Sequence, residues 1–233
     1  MAKPQLLELT DFDGHLIDGL SFCRKVYRLF DQILEVPGGR SRLRMLRSKT
    51  EKRLVEELIP IARYIQYRYH EAYRIKVRWN AGSQRHDAVL LCSGDWLGRG
   101  LAARRLAVEV TMSVHPNEHL VRENVDKGGA SFGPENTTRD KKTGKIASEA
   151  RAGDGWTAMQ ELAERVTAQI RAKATKGYGS DTVLIVGVVP NKVTLHPEWN
   201  EVVRQIVEAN VHKAFAEVFV LDRSGSFCAT LPR

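Results

Sequence analysis

Hydrophobic residues recur at two different spacings along the chain, and the change of spacing divides it into predicted elements. Residues 16–34 and the segment that begins near Ser48 have the three-to-four-residue spacing of amphipathic helices. Ser48 and Glu51 fit a capping box, so a long helix is predicted over Ser48–Tyr73. Pro60 lies inside this helix and is expected to kink it or split it in two.

Apolar and polar residues alternate after this helix, and alternation predicts strands. Three successive strands are predicted, at Arg74–Asn80, His86–Cys92 and Arg104–Val114. The short connections between them, including the turn "GDWLGRG", favour an antiparallel meander. A helix over Trp156–Ala174 and a buried strand over Thr182–Val189 follow, and a further helix and a terminal hairpin complete the pattern. This order predicts an α/β fold with a mixed sheet flanked by helices.

The polar, glycine-rich segment between the third strand and the next helix, residues 115–155, has little periodicity. A segment of this length without periodicity is typical of a functional loop or of disorder in the absence of ligand. Its start, "HPNEH" at His115–His119, matches an inverted zinc-protease motif. That motif needs a continuous helix, and Pro116 directly after a strand argues against one.

Composition sets the domain organisation and the class of partner. With 233 residues, 42% of them hydrophobic, the chain can bury the core of one large domain with a small appendage. We predict an N-terminal helical extension and basic linker over residues 1–47 and an α/β domain over 48–233. The net charge of +8 and the pI near 9.5 favour a polyanionic partner.

Cysteine usage and the N-terminal sequence indicate the compartment. The three cysteines are far apart and include no CxxC pair, so neither a zinc ribbon nor a disulfide framework is expected. No apolar leader and no apolar run of transmembrane length is found. We expect a cytoplasmic protein without a membrane partner.

Glu109 is out of place in the otherwise apolar run "RRLAVEVTMSV". A buried carboxylate is costly unless it is paired, protonated or bound to a cation. Alternation places Thr111 on the same face, and pairing with the preceding strand brings Asp87 near Glu109. Two carboxylates, the Val110 carbonyl and water match the oxygen ligands that Mg²⁺ prefers.

On these residues and this element order the chain resembles the PD-(D/E)XK, or restriction-endonuclease-like, nucleases over roughly residues 48–189. "HDAVL" stands at the family's Asp-bearing strand, and "EVT" stands at its Glu-x-Lys. The resemblance implies metal-dependent DNA cleavage in which Asp87 and Glu109 bind Mg²⁺ or Mn²⁺. It also implies an assisting helix carboxylate, Glu57, and a helix position used by several branches, Gln160.

The sequence departs from that family at the lysine, which is replaced by Thr111. Thr111 is expected to orient a water, and the missing cation is expected from Lys127 or Lys76. A protein that kept the fold, lost the lysine and only binds DNA is the alternative. A third possibility is an interaction module whose basic surface meets an acidic protein.

Other readings of these residues remain open. Glu109 can pair structurally with Arg85, Arg104 or Arg105, Asp87 can cap a turn, and Glu56 and Glu71 suit the helix position nearly as well as Glu57. A solvated charged face is the alternative for the basic stretch near residue 40. We predict nucleic-acid contacts there and allow for a homodimer; the residues expected to contact nucleic acid are Arg40, Arg42, Arg44, Arg47 and Lys127.

Overall fold

Strand pairing organises the fold in the computed structural model, which describes residues 6–69, 73–82, 84–94, 105–150, 154–193 and 195–232. Among these residues there are nine strands, seven of which form one mixed sheet. The strands are β1 Leu16–Asp18, β2 Tyr73–Trp79, β3 Ala88–Gly94, β4 Arg105–Ser113, β5 Thr137–Arg139, β6 Ile146–Ser148, β7 Thr182–Val188, β8 Glu217–Asp222 and β9 Cys228–Pro232.

The large sheet has the order β1-β2-β3-β4-β7-β8-β9. Strands β1 to β4 are antiparallel neighbours, β4, β7 and β8 are parallel, and β9 returns antiparallel to β8. The predicted meander, its extension by β7 and the terminal hairpin are therefore confirmed. Most of the predicted "GDWLGRG" turn, residues 95–100, lies outside the described residues. Strands β5 and β6 form a separate small sheet.

Helices cover both faces of the large sheet. They are α1 Gly19–Glu35, α2 Gly39–Met45, α3 Lys49–Arg53, α4 Ile59–Arg68, α5 Glu118–Asp126, α6 Gly155–Ala174 and α7 His196–Glu208. One apolar core lies between the sheet and helices α1 and α4, and a second lies between the sheet and helices α6 and α7. Alternate residues of β7 enter the two cores, which is why this strand is apolar along its whole length.

The predicted long helix is continuous through a π-helical turn, Leu54–Leu58, that joins α3 to α4. Its start has the predicted capping box, in which Ser48 N–H donates to Glu51 at 2.8 Å. Proline lacks an N–H and its ring crowds the carbonyl four residues earlier, which disfavours a regular α-turn before Pro60. The Ile59 N–H donates to Leu54 O, five residues back, so the wider turn accommodates Pro60. The helix ends at Arg68, short of the predicted Tyr73.

The N-terminal segment is part of the same core. Strand β1 pairs with β2, and α1 packs against α4 with Phe22 and Val26 fully buried. Helix α2 then carries the basic stretch, where Arg42 pairs with the carboxylate of Glu51 at 2.5 Å. Burial would raise the pKa of Glu51, but hydrogen bonds from Ser48 and Arg42 outweigh it and hold that pKa below its ordinary value.

The prediction of an irregular loop over residues 115–155 is wrong in part, because this segment contains α5 and the β5–β6 hairpin. Side-chain hydrogen bonds, rather than a periodic set of apolar residues, connect these elements to one another. The Asn117 side chain donates to Pro134 O at 3.3 Å and to Thr137 O at 3.1 Å. Helix α5 begins at Glu118, so His115 is not on it and the zinc-protease alternative fails. No helix in the described part of the chain is long and apolar enough to cross a membrane.

Candidate active site

Asp87 and Glu109 lie where the ladder between β3 and β4 ends. Its last pair joins Ala88 to Val108, and Asp87 and Glu109 are the chain neighbours of these two residues. The Asp87 N–H donates to Val108 O at 3.0 Å. Because Ala88 and Val108 enter the core beneath α1 and α4, alternation directs Asp87, Glu109 and Thr111 towards the face that α6 covers. The two residues are close enough for the charge of Glu109 to act on Asp87.

The backbone of Val110 completes this corner of the sheet. Its N–H donates to Asp87 Oδ2 at 2.8 Å. The N–H and C=O of one strand residue point towards the same neighbouring strand, so the Val110 carbonyl faces the Asp87 side of β4. The Val110 backbone therefore lies beside Asp87 and directly follows Glu109.

The pKa of Asp87 depends on its burial and on the charges around it. Burial, together with the charge of Glu109, raises the pKa of Asp87 to about 6. The Val110 N–H, Lys173 and Arg53 act in the opposite direction but do not cancel that increase. The sequence-based expectation that two neighbouring carboxylates raise the pKa of one is therefore confirmed, with burial as the larger cause.

Lys173, near the C-terminal end of α6, is a site residue that the sequence analysis missed. Its Nζ forms an ion pair with Glu109 Oε1, and both side chains are largely buried, with exposed fractions of 17% and 9%. The ion pair with Glu109 is thus made by Lys173 and not by Arg85 or Arg105. Arg104, the third arginine named as an alternative partner, lies outside the described residues. A cation thus stands against the Glu109 carboxylate although position 111 is threonine.

Tyr178 and His86 close one side of this site. Burial and a hydrogen bond to the Glu109 carboxylate raise the pKa of Tyr178 to about 12. The rings of His86 and Tyr178 lie 5.5 Å apart, centroid to centroid. Burial and the Arg85 charge lower the pKa of His86, which favours a neutral imidazole. These two residues form an uncharged wall beside the ion pair.

Glu57 lies in the π-helical turn and approaches the site indirectly. Its carboxylate forms an ion pair with Arg53 and accepts a hydrogen bond from Trp79 Nε1 at 3.1 Å. Arg53 in turn lowers the pKa of Asp87 through its charge. Glu57 is therefore linked to Asp87 through a cation. Its alternative Glu71 lies outside the described residues.

Gln160 is not brought to the site. It is exposed near the N-terminal end of α6, whereas Lys173 contacts Glu109 from the other end of that helix. The 13 residues between them span about 20 Å at the rise of an α-helix. The helix runs back along β4, so its last turns, rather than its first, reach Glu109.

The predicted nucleic-acid contacts are mostly engaged in ion pairs. Arg44 and Arg47 contact Asp126 of α5 at 3.3 and 3.2 Å, and Lys127 contacts Glu123 at 2.7 Å. With Arg42 held by buried Glu51, the predicted set leaves Arg40, which is exposed. Lys127 lies beyond α5, and Lys76 is exposed on β2; Lys173 supplies the cation near Glu109 in place of either.

The residues present fit a magnesium or manganese ion bound largely by water and substrate. Within the described ranges, no group of three or more His, Cys, Asp or Glu side chains is placed to hold a metal. Mg²⁺ usually takes only one or two protein carboxylates and fills its remaining positions with water and phosphate oxygens. Asp87, Glu109 and the Val110 carbonyl are the groups that would supply such a partial set.

Comparisons of the chain with protein-family models, with curated proteins and with solved structures found no match in any of the three.

Asp87→Asn is expected to stabilise the protein at high pH. The folded-state pKa of about 6 lies above the ordinary 3.8, so the folded state must hold a buried charge once pH exceeds 6. Stability from this residue is thus lost as pH rises from about 4 to above 6. The variant should gain about 1 to 3 kcal/mol in unfolding free energy at pH 8 and almost nothing at pH 4. Denaturant unfolding across this range measures the effect. The exposed Asp181→Asn is the control, and a pH-independent difference would contradict the assignment.

Lys173→Met is expected to destabilise the protein because it leaves the Glu109 charge buried without its partner. The loss should be about 2 to 4 kcal/mol at pH 8. Adding Glu109→Gln should recover at least half of it, since the unpaired charge is then removed. The exposed Lys176→Met serves as a matched control with little effect. Simple additivity of the two substitutions in the double variant would show that the pair is not coupled.

Proposed function

We propose that this protein is a metal-dependent nuclease with a restriction-endonuclease-like domain that hydrolyses DNA phosphodiester bonds. This proposal rests mainly on two observations: Asp87 and Glu109 lie close together where β3 meets β4, and the Lys173 ammonium forms an ion pair with Glu109. The order of a helix, three antiparallel strands, helix α6 and the parallel strand β7 supports the fold assignment. Three free cysteines are consistent with a reducing, cytoplasmic setting.

Asp87, Glu109 and the Val110 carbonyl would hold Mg²⁺ or Mn²⁺ in this proposal. When bound, such an ion lowers the pKa of an attacking water and stabilises charge on the phosphoryl oxygens. The protein supplies the orientation of the ligands. Val110 N–H fixes one Asp87 oxygen, which leaves the other oxygen available to a cation.

Lys173 takes the role that the strand lysine has in the resembling family. Its ammonium lies beside the Glu109 carboxylate and can hold and orient the water that attacks phosphorus. The water releases one proton to solvent as its oxygen forms a bond to phosphorus, the P–O ester bond breaks, and the leaving oxygen takes a proton from solvent. Thr111, on the same face as Glu109, can accept or donate a hydrogen bond to that water. The Tyr178 hydroxyl keeps its proton and orients Glu109.

A DNA-binding protein without cleavage activity is the second candidate, and one observation favours it. Lys173 neutralises Glu109, while the third carboxylate, Glu57, is engaged by Arg53 and Trp79. A charge-balanced site attracts a divalent cation less than two free carboxylates do. Metal-dependent cleavage separates the two candidates, and the net charge of +8 supports a polyanion for both.

The sharpest test moves the lysine from helix to strand. Lys173→Met should lower the rate of plasmid and linear DNA cleavage in Mg²⁺ or Mn²⁺ by about a hundredfold or more. Adding Thr111→Lys should restore much of that rate, because a lysine at position 111 projects from the same strand face as Glu109. Glu109→Ala should abolish cleavage, while salt-sensitive DNA binding largely persists.

Lys176→Met is the matched control, because it removes the same charge from an exposed position just beyond α6. It should retain wild-type cleavage. DNA binding without cleavage in every metal, for the wild type and for the double variant, would instead support the binding protein. Loss of cleavage that Thr111→Lys leaves unrepaired would contradict the role of Lys173.

A further inference from the structure

A cationic pocket of about 520 Å³ lies where α2 turns into α3. Leu46 ends α2 in the left-handed conformation, with φ of 50°, and this sharp turn makes the surface concave. The residues that line the pocket are Leu46, Arg47, Ser48, Lys49, Lys52, Arg53 and Glu57. This volume suffices for a phosphate group and part of an attached nucleoside.

The charges in this pocket are not balanced. Arg53 is paired with Glu57, and Arg47 is paired with Asp126 at 3.2 Å. Lys49 and Lys52 are exposed, and neither has an ion-pair partner within the described residues. Glu51 lies between them in sequence, but it is fully buried and held by Arg42. Two lysines therefore remain available to an anion.

The pocket lies near Asp87 of the candidate active site. Glu57 lines it and accepts a hydrogen bond from Trp79 on β2, whose register partner is Ala88. Ala88 is adjacent to Asp87, and the Arg53 guanidinium is close enough to act on the Asp87 charge. Arg53, which lines the pocket with Lys49 and Lys52, is thus also a neighbour of Asp87.

The convergence of these cations suits a chain end better than a continuous backbone. A backbone phosphodiester carries one negative charge, and successive diesters need cations spread along a groove. A terminal phosphate monoester carries about 1.5 to 2 negative charges and three free oxygens, so it favours several donors gathered in one place. Lys49, Lys52 and Arg53 lie within five consecutive residues on one helical start.

We propose that the cationic pocket binds the terminal phosphate monoester of a nucleic-acid strand and thereby directs the adjacent site to strand ends. This rests on the proposed nuclease function for its consequence, though not for the binding itself. The pocket residues that contact the monoester are Lys49 and Lys52, and Arg53 lines the same pocket and acts on the charge of Asp87.

Binding of short blunt DNA duplexes tests the proposal, with fluorescence anisotropy in EDTA to prevent cleavage. Three duplexes carry 5′-phosphates, 3′-phosphates or hydroxyl ends alone. One phosphorylated end should bind about tenfold more tightly than the hydroxyl end. Lys49→Ala with Lys52→Ala should remove this preference. Lys141→Ala with Lys142→Ala removes the same charge from the exposed β5–β6 turn and should keep it.

Equal affinity for all three duplexes would overturn the proposal. A rise in Tm with inorganic phosphate that the Lys49/Lys52 variant lacks, without any end preference, would assign the pocket to free phosphate and also overturn it. Cleavage assays in Mn²⁺ separate the two claims. End preference without cleavage in any metal leaves this pocket standing and removes the nuclease, whereas cleavage without end preference does the reverse.

Discussion

The buried carboxylate of Glu109, in the otherwise apolar strand β4, restricts how the rest of this fold can be arranged. The residue is 7% exposed and lies on β4, between the antiparallel strand β3 and the parallel strand β7. A carboxylate at that depth is stable in its charged form only beside a cation and a hydrogen-bond donor. Lys173 and Tyr178 supply them, and both follow from the path of α6 and the turn after it. The ion pair between Lys173 and Glu109 therefore stabilises the fold and also belongs to the candidate site.

The same logic accounts for the distribution of positive charge. The chain carries an excess of eight cations, yet many of its arginines are engaged by buried or half-buried carboxylates. Arg42 holds Glu51, and Arg44 and Arg47 tie α2 to Asp126 of α5. These pairs fix the position of the basic segment against the sheet. Lys49 and Lys52 have no ion-pair partner among the described residues, so the net charge of the sequence does not by itself show which cations are unpaired.

Several features were predictable from the sequence because they depend on local periodicity. Alternation along β4 placed Glu109 and Thr111 on one face, and the antiparallel pairing of β3 with β4 brought Asp87 near Glu109. The capping box at Ser48 and Glu51 fixed the start of α3. Each of these follows from spacing within a few residues or from a neighbouring strand.

Other features depend on registers that the sequence does not contain. A parallel crossover must bring the end of α6 back towards the start of β7, so cations in its last turns were the natural candidates near Glu109. Arg171 and Lys173 both satisfy that condition, and only the rotation of the helix selects Lys173. Gln160 failed for the same reason, since the direction of α6 places it at the far end. Helix α5 lacked a clear apolar stripe because polar contacts, such as those of Asn117 and Asp126, hold it in place.

The location of a bound divalent cation is the most direct test of the proposed metal site at Asp87 and Glu109. Crystals of the wild-type protein soaked in Mn²⁺ can be measured at the manganese absorption edge. We predict an anomalous peak that lies close to one carboxylate oxygen of Asp87 and one of Glu109. The distance from the peak to each oxygen should be about 2.0 to 2.4 Å, as for small divalent ions with oxygen ligands. Lys173 should remain within reach of the same ion's water shell. A strong peak elsewhere, or no peak at saturating Mn²⁺ with Lys173 still bound to Glu109, would contradict a metal-dependent site here.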